Sequence, residues 1–482
     1  MPYYIIIRCL LPYEYNILIF NLWEGAVFDI IRYMTTRREW LRQQRKRKYG
    51  KYKGIFIVLG IVLGLAVLAG LTFAFIRWGL PLINKQKPGE VPVSADIVAA
   101  AVSEDVPEPA VSADRTEPEP VPEGFSLKVW KKEHTPVKGI YVTGPVAGSE
   151  RMAGLIELLD KTELNAMVID IKNDGGEVTF KMPEDTQPAQ MGNCVRYIRD
   201  IEELMRELKE HEIYTIARIV CFKDPMLAAA APELALIDTD GKAITDSNDL
   251  AWVNPCQEGV WAYITDIALY CADLGFDEVQ FDYVRFPVGK GTEKADYKTE
   301  VTEENKHEFI SGFLNYAAER LHEKEVPITA DLFGTVIGNP TDVGKVGQDY
   351  VELASTVDVL CPMIYPSHYG NGVFGLDIPD AQPYDTVIGA LGLSARELSG
   401  IEEEKRAVVR PWLQDFTATW VKGHISYGPE EVQDQIKGVY DAGYDEWILW
   451  NAKNNYSISF EEESISENGT GQEEEAESGQ SD

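Results

Sequence analysis

The sequence is poor in the residues that bind metals or close disulfide frameworks. Six histidines and six cysteines are scattered over 482 residues, without a CxxC motif, an HxxxH pair or a mixed cysteine–histidine cluster. This scarcity disfavours a structural zinc site and a metal-dependent polysaccharide deacetylase. We interpret Cys194, Cys221, Cys256, Cys271 and Cys361 as mostly free, buried thiols without a catalytic role, and we expect neither a metal nor another cofactor.

Positive charge is also scarce. The chain has 45 lysines and arginines against 78 aspartates and glutamates, which gives a formal net charge of −33. Because proteins bind nucleic acids by neutralising phosphates with lysine and arginine, this balance argues against a nucleic-acid partner. Part of the acidic excess lies in residues 458–482, which are rich in Glu, Ser and Gly. We predict that this segment is a solvated, disordered tail.

One long hydrophobic run lies near the N-terminus. Residues 54–80 begin with more than 20 positions that carry no charge, enough for a helix to cross a bilayer. A basic cluster in residues 1–53 precedes this run, so the positive-inside rule places the N-terminus in the cytoplasm and the C-terminal domain outside. We expect a single-pass cell-membrane protein with an uncleaved signal anchor. Residues 1–33 are open to two interpretations: a weak extra membrane segment, or an upstream extension of a reading frame that starts at Met34.

The remaining chain divides into a linker and one large domain. Residues 81–124 are rich in Pro, Glu, Val and Ala without any periodicity, which is typical of a disordered linker. Within residues 125–457, short β-branched runs alternate with amphipathic ones. The predicted strands are Gly139–Thr143, Ala166–Lys172, Tyr214–Val220, Glu278–Val284, Ile328–Phe333, Val357–Ile364, Ala407–Leu413 and Glu446–Asn451. The predicted helices are Glu150–Thr162, Tyr197–Glu212, Gly259–Gly275, Glu304–Lys324, Asp342–Ser355 and Pro429–Ala442.

This alternation favours one fold over another. Eight βα repeats in about 320 residues predict a (β/α)8 TIM barrel with enlarged loops. A doubly wound open sheet is the alternative, but the first predicted strand is not followed by a GxGxxG motif.

Polar and aromatic residues gather where the predicted strands end, which is where parallel α/β proteins place their ligands. Aromatic rings suit the apolar faces of sugars, and polar side chains suit their hydroxyl groups. Cleavage of a glycosidic bond also needs two carboxyl groups. We therefore predict Asp282 and Asp331, at similar depth on neighbouring strands, as the catalytic pair, with Asp170 as a third catalytic candidate. The predicted substrate-binding residues are Arg218, Gln280, Arg285, Tyr365, His368, Arg410, Trp412, Gln414, Trp450 and Asn451.

A structural explanation of the same residues stays open. The three aspartates would then belong to a buried salt-bridge network with Arg218, Arg285 or Arg410. The aromatic residues would pack in the core or at the rim, and the histidine would be an ordinary surface residue.

Several segments resemble a known family. They are Lys138–Gly144, Val168–Gly176, Phe281–Pro287, Ala330–Gly334, Cys361–Tyr369 and Trp447–Asn451. These segments are similar to the glycoside hydrolase domain of membrane-anchored bacterial surface proteins, and the resemblance covers roughly residues 137–456. It implies a TIM barrel distantly similar to α-amylase-like glycosidases, with Asp282 at the position of their nucleophile. The chain departs from that group at Asp331, where the group has a glutamate, and only Asp415 could serve as its aspartate after the seventh strand.

The predicted function is therefore hydrolysis of glycosidic bonds in an extracellular or cell-surface polysaccharide or oligosaccharide. The alternative is a non-catalytic carbohydrate-binding or cell-envelope scaffold barrel, which would keep the pocket without the chemistry.

Overall fold

A computed structural model describes residues 125–289 and 291–458 of the chain. Eight parallel strands form a closed barrel in which each strand pairs with the next in sequence and the last pairs with the first. The strands are β1 (Lys138–Val142), β2 (Ala166–Lys172), β3 (Tyr214–Val220), β4 (Glu278–Asp282), β5 (Ile328–Phe333), β6 (Val359–Met363), β7 (Val408–Val409 and Trp412–Gln414) and β8 (Trp447–Trp450). The predicted barrel is confirmed.

Helices surround the barrel. They span Leu127–Glu133, Gly144–Ala147, Arg151–Asp160, Gln187–Gln190, Ile201–Glu210, Pro225–Ala230, Glu258–Leu274, Lys306–His322, Pro340–Val346, Tyr350–Leu353, Pro383–Glu397 and Pro429–Asp441. The helix Ile201–Glu210 illustrates why they form. Leu204, Met205 and Leu208 recur at helical spacing and are buried, while the Asp200 side chain caps the first turn by accepting a hydrogen bond from the Glu203 N–H at 3.0 Å.

Short strands lie outside the barrel. Val178–Phe180 pairs antiparallel with β2 and continues the sheet to Cys194–Ile198, and Ile237–Asp238 pairs with Ala295–Asp296.

Several elements differ from the sequence prediction, among them the helix predicted at 197–212, whose first two residues belong to the strand Cys194–Ile198. The helix predicted at 342–355 is two helices, because Gly347 between them has φ 77° and ends the first one. The strand predicted at 407–413 is interrupted where Pro411 has no N–H to give to a neighbour. The helix Pro383–Glu397 was not predicted, since Gly389 and Gly392 weaken its helical pattern.

The buried apolar side chains form two layers. One fills the space between the strands and the surrounding helices, and the other fills the barrel itself, where Val168, Ile216, Val359 and Ile448 pack together. Alternate residues of each strand face the barrel interior. The interior-facing residues that come later in each strand than these apolar ones therefore lie at the C-terminal end of the barrel.

The N-terminal end of the barrel is closed by a buried ion-pair cluster. Arg410 donates to Glu278 Oε1 and to Glu446 Oε2, both at 2.7 Å. Its side chain has no solvent exposure. The helix Leu127–Glu133 lies against this end, because Lys131 donates to the carbonyl oxygen of Glu403 at 2.7 Å in the segment that leads into β7. The chain therefore enters the barrel at its N-terminal end.

The segment after β8 crosses the opposite end. Asn454 Nδ2 donates to the Tyr141 carbonyl oxygen at 2.8 Å, and the Ser457 N–H donates to Asp415 Oδ2 at 2.8 Å. These bonds hold residues 451–458 over the C-terminal ends of the strands.

Several sequence interpretations concern residues that the structure does not describe. The segments predicted as cytoplasmic (1–53), membrane-spanning (54–80) and linker (81–124) lie outside the described residues, and so does the predicted tail beyond residue 458. Within 125–289 and 291–458, no helix is both long and apolar enough to cross a bilayer. The five cysteines in the described residues are free, with Cys221, Cys271 and Cys361 buried.

Candidate active site

A cavity of about 1020 Å³ lies at the C-terminal end of the barrel, the end at which TIM-barrel enzymes carry their active sites. Its lining comes from the ends of several strands and from the loops that follow them. Among the predicted residues, the cavity is lined by Arg218, Asp282, Arg285, Asp331, Tyr365, His368, Trp412, Trp450 and Asn451. The barrel thus brings together most of the side chains that sequence patterns selected.

Asp282 and Asp331 are neighbours across two paired strands. The register of β4 and β5 aligns Gln280 with Thr329 and Phe281 with Ala330, so Asp282 comes next to Asp331. Adjacent strands are about 4.8 Å apart. Both carboxyl groups line the cavity, as two groups acting on one bond would.

The carboxyl group of Asp331 is deeply buried and held by neutral donors. The residue is 1% exposed, and its Oδ1 accepts hydrogen bonds from Gln280 Nε2 at 2.7 Å and from Trp412 Nε1 at 2.6 Å. Burial, followed by the negative charge of Asp282, raises the pKa of Asp331 well above its usual range, although Arg218 and the two hydrogen bonds oppose the rise. Its Oδ2 has no hydrogen-bond partner among the described side chains. The environment of Asp331 therefore shifts this carboxyl group toward its protonated form.

Asp282 lies in a different environment. Arg218 Nε donates to its Oδ2 at 3.0 Å, and Arg218 Nη2 forms a second contact with the same oxygen. Its Oδ1 accepts the backbone N–H of Tyr283 at 2.6 Å. Tyr283 has φ 50°, a left-handed conformation that is uncommon for a residue with a Cβ atom and tends to occur at functional sites. The turn at the end of β4 therefore presents Asp282 as a paired carboxylate at the edge of the cavity.

Asp170 does not line the cavity. It is 4% exposed, accepts a hydrogen bond from the Tyr141 hydroxyl at 2.5 Å and forms an ion pair with Arg218. Burial raises the pKa of Asp170, and the opposing charge of Arg218 limits the rise. Of the two explanations offered for this residue, the salt-bridge network fits its position. Asp170 orients Arg218, which in turn binds Asp282.

Aromatic side chains form the walls. Trp450 lines the cavity and meets Trp412 edge to face, with ring centroids 5.8 Å apart. It also stacks on the buried Tyr141, which is not part of the lining, at 4.1 Å. Tyr365 and the exposed His368 form a second edge-to-face pair at 5.2 Å. Flat rings beside hydrogen-bonding groups are the combination that sugars require.

Five aromatic residues of the cavity lining are absent from the predicted site: Tyr283, Phe333, Phe416, Trp420 and Tyr427. Phe416 and Trp420 illustrate the reason. The ring centroid of Phe416 lies 6.0 Å from that of Tyr365 and 6.0 Å from that of Trp420. Trp420 lines the cavity and is 67% exposed to solvent. Both follow β7 in an irregular loop, where hydrophobic periodicity carries no signal. The only available sign was a tryptophan within a loop at the C-terminal end of a strand.

Three predicted substrate-binding residues lie away from the cavity lining. Arg410 belongs to the ion-pair cluster at the other end of the barrel, so its assignment to the site is corrected. Gln280 donates a hydrogen bond to Asp331. Gln414 joins two loops by donating to Asp380 at 3.0 Å and accepting the Ser367 N–H at 3.1 Å. The two glutamines, both without solvent exposure, position other groups instead of facing the cavity.

Asn451 lines the cavity, but its amide is already engaged. Its Nδ2 donates to the carbonyl oxygens of Asp415 and Asn455, each at 2.6 Å. The residues between 125 and 458 that the structure describes contain no cluster of His, Cys, Asp and Glu side chains able to hold a metal ion.

Several solved structures are similar to this chain. Among solved structures, the chain is similar to a hypothetical protein from Ruminiclostridium thermocellum, with 34% identity over 40% of this chain and 96% of that one and a TM-score of 0.36. It is also similar to the glycoside hydrolase domain of PgaB (BpsB) from Bordetella bronchiseptica, with 12% identity, 66% and 94% coverage and a TM-score of 0.49. An α-galactosidase from Thermus thermophilus matches with 12% identity, 68% and 60% coverage and a TM-score of 0.42.

No curated protein matches the chain. The family described as "Putative glycosyl hydrolase domain" matches residues 139–456, from the first strand to the segment that crosses the cavity. This chain is a member of that glycosyl hydrolase family.

Proposed function

We propose that this domain hydrolyses glycosidic bonds of an extracellular or cell-surface polysaccharide or oligosaccharide, with Asp331 as the general acid and Asp282 as the nucleophile or general base. One observation carries the proposal. Two neighbouring carboxyl groups line one cavity in contrasting environments, since neutral donors hold the buried Asp331 while Arg218 pairs with Asp282. Acid-assisted glycoside cleavage needs one carboxyl group that donates a proton and a second one that acts as nucleophile or base, and the raised pKa of the buried Asp331 suits the first role.

The chemistry follows from these positions. A sugar held against Trp450 and Tyr365 would present its glycosidic oxygen to Oδ2 of Asp331, which donates its proton as the bond breaks. Asp282 would attack the anomeric carbon, or remove a proton from the water that does. Arg218 keeps the Asp282 carboxylate in place, and Asp170 and Tyr141 keep Arg218 in place.

We also propose that residues 54–80 anchor the protein in the cell membrane with the barrel outside. The proposal is supported by the uncharged run in that segment and the basic residues before it.

The proposed activity is tested with the full-length protein in detergent micelles. We expect it to release new reducing ends from at least one polymer in a panel of cell-wall, capsular and storage polysaccharides. Anomeric NMR of the first product would identify retention or inversion. Binding on a glycan array without any release of reducing ends would instead favour the non-catalytic carbohydrate-binding barrel.

The pH dependence of the reaction should reflect the protonated state of Asp331. Activity should be present while this carboxyl group is protonated and should be lost as the pH rises through its raised pKa, so the basic limb of kcat/KM should lie above the usual range of aspartate. The Gln280 amide stabilises the ionised form, so Gln280→Met should move this limb to higher pH. The exposed Gln433→Met is the matched control, and a shift of the limb in the opposite direction would contradict the assignment of Asp331.

Trp420 should contribute to the binding of long substrates. Its exposed ring stacks near Phe416 at the cavity, and loss of a stacked ring costs roughly 0.5–1.5 kcal/mol. Trp420→Ala should therefore raise KM for a long oligosaccharide by about 2- to 10-fold with little change in kcat, while Trp420→Phe should retain most of the affinity. An equal effect on a disaccharide would show that Trp420 does not form an outer binding position.

A further inference from the structure

Arg285 is a cavity-lining arginine without a carboxylate partner. Arg218 pairs with Asp170 and Asp282, and Arg410 pairs with Glu278 and Glu446. By contrast, Arg285 forms no ion pair with any acidic side chain that the structure describes between residues 125 and 458. It nevertheless belongs to the lining of the same cavity as the two candidate catalytic aspartates.

Aromatic rings surround the guanidinium of Arg285. Its Cζ atom lies 4.6 Å from the ring centroid of Phe333, 4.9 Å from that of Trp252 and 5.2 Å from that of Tyr283. Within the described part of the chain it makes one hydrogen bond, from Nη1 to the carbonyl oxygen of Phe286 at 3.1 Å. A guanidinium has five N–H donors, so most of them remain available.

This arrangement fits a ligand that carries negative charge. The rings hold the guanidinium plane by cation–π contacts and exclude water from its sides, but they satisfy none of its N–H groups. Partial burial of a cation costs free energy when its N–H donors have no acceptors, and a bound anion would remove this cost by accepting hydrogen bonds from them. The planar fork of arginine matches the two oxygens of a carboxylate, sulfate or phosphate, whereas a neutral sugar hydroxyl offers a single weaker acceptor.

The place of Arg285 in the chain indicates where that anion would lie. Arg285 follows Asp282 by three residues at the end of β4, and Tyr283 between them turns the backbone with its positive φ. Phe333, which contacts the guanidinium, follows Asp331 by two residues on β5. Both strands that carry the carboxyl pair thus also build the surroundings of Arg285.

We propose that Arg285 binds an oxyanion of the substrate, so that the glycan recognised by this cavity is acidic, carrying a carboxylate as in a uronic acid or a sulfate or phosphate ester. The inference rests on the proposed glycosidase function and names the substrate class of the same site. The charged group belongs to a sugar bound beside the Asp282–Asp331 pair.

The test compares acidic glycans with their neutral counterparts. Full-length protein is assayed on uronic-acid polymers and on the same polymers after carbodiimide activation and borohydride reduction of their carboxyl groups, and on sulfated glycans before and after desulfation. We expect kcat/KM to favour one acidic form over its neutral counterpart by about 10- to 100-fold, as charge-assisted hydrogen bonds would give. Arg285→Met should bring this ratio close to one, and Arg285→Lys should restore part of it. Arg396→Met, at an exposed arginine of helix Pro383–Glu397, should leave the ratio unchanged.

The outcomes separate this inference from the proposed function. Hydrolysis of neutral glycans with no preference for acidic ones would overturn the role of Arg285 and leave the glycosidase intact. If no glycan is cleaved, calorimetric titration with oligouronates and sulfated oligosaccharides decides. Binding to wild type that is lost in a folded Arg285→Met variant supports the inference, and absence of binding to every acidic oligosaccharide rejects it. Circular dichroism of each variant checks that it is folded.

Discussion

Asp331→Asn should lower kcat/KM for an unactivated glycan by about 100- to 10,000-fold, the usual contribution of a general acid. Asparagine has nearly the same shape, and its side-chain oxygen can still accept from Gln280 and Trp412. It cannot supply a proton to the leaving oxygen. Initial rates of reducing-end release from the substrate found in the polysaccharide panel measure the loss.

The same variant distinguishes an acid from a residue that merely supports the fold. Aryl glycosides with good leaving groups need little protonation, so Asp331→Asn should impair their cleavage far less than cleavage of the natural glycan. Asp434→Asn, on the exposed face of helix Pro429–Asp441, is the matched control and should be as active as wild type. Equal losses on both kinds of substrate would remove Asp331 from the role of general acid.

Arg410→Met should destabilise the barrel by about 3–5 kcal/mol, the usual cost of breaking a buried ion pair by removing one partner. Arg410 and Glu278 have no solvent exposure, and Glu446 has almost none. Without the guanidinium, two carboxylates would stay buried with no arginine between them. Tyr214 at 3.2 Å and Thr329 would still donate to Glu278, and His134 would still lie 2.9 Å from Glu446. Urea titration followed by tryptophan fluorescence measures the change in the free energy of unfolding.

Two further variants define this effect. Arg206→Met removes an exposed arginine that pairs with Glu203 on a helix surface, so it should cost much less. Combining Arg410→Met with Glu278→Gln and Glu446→Gln should recover part of the lost stability, because the buried negative charge is removed together with its partner. A single variant Arg410→Met that is as stable as Arg206→Met would show that the cluster contributes little.

The positions of the eight strands and the approach of Asp282 to Asp331 could be predicted from local patterns, although the ends of β4 and β6 and the break in β7 could not. A β-branched run that ends in polar residues identifies the end of a strand, and equal depth in successive runs brings the two aspartates together. Local patterns could not predict that Arg218 lines the cavity while Arg410 lies in the ion-pair cluster at the other end of the barrel. Each is an arginine within a predicted strand, but Arg410 follows only two paired residues of β7, whereas Arg218 is the fifth residue of β3.

The depth of a strand residue in a closed barrel depends on partners far away in sequence. Arg410 meets Glu278 and Glu446, which lie just where β4 begins and just before β8, and no local pattern specifies these contacts. The same holds for the ring environment of Arg285, since Trp252 and Phe333 come from separate loops and strands. The side chains that contact an arginine decide whether it is structural or ligand-binding, and these contacts can be identified only in the three-dimensional structure.

The two ends of the described chain have different consequences for handling the protein. The polypeptide approaches through helix Leu127–Glu133 on the face where Arg410 is buried, while Asn455 and Ser457 help to line the cavity on the other face. Coupling the protein to a sensor surface or a resin through its N-terminal side should leave glycans free access. A reporter fused directly behind Ser457 would crowd the entrance and should slow or block the approach of long polymers.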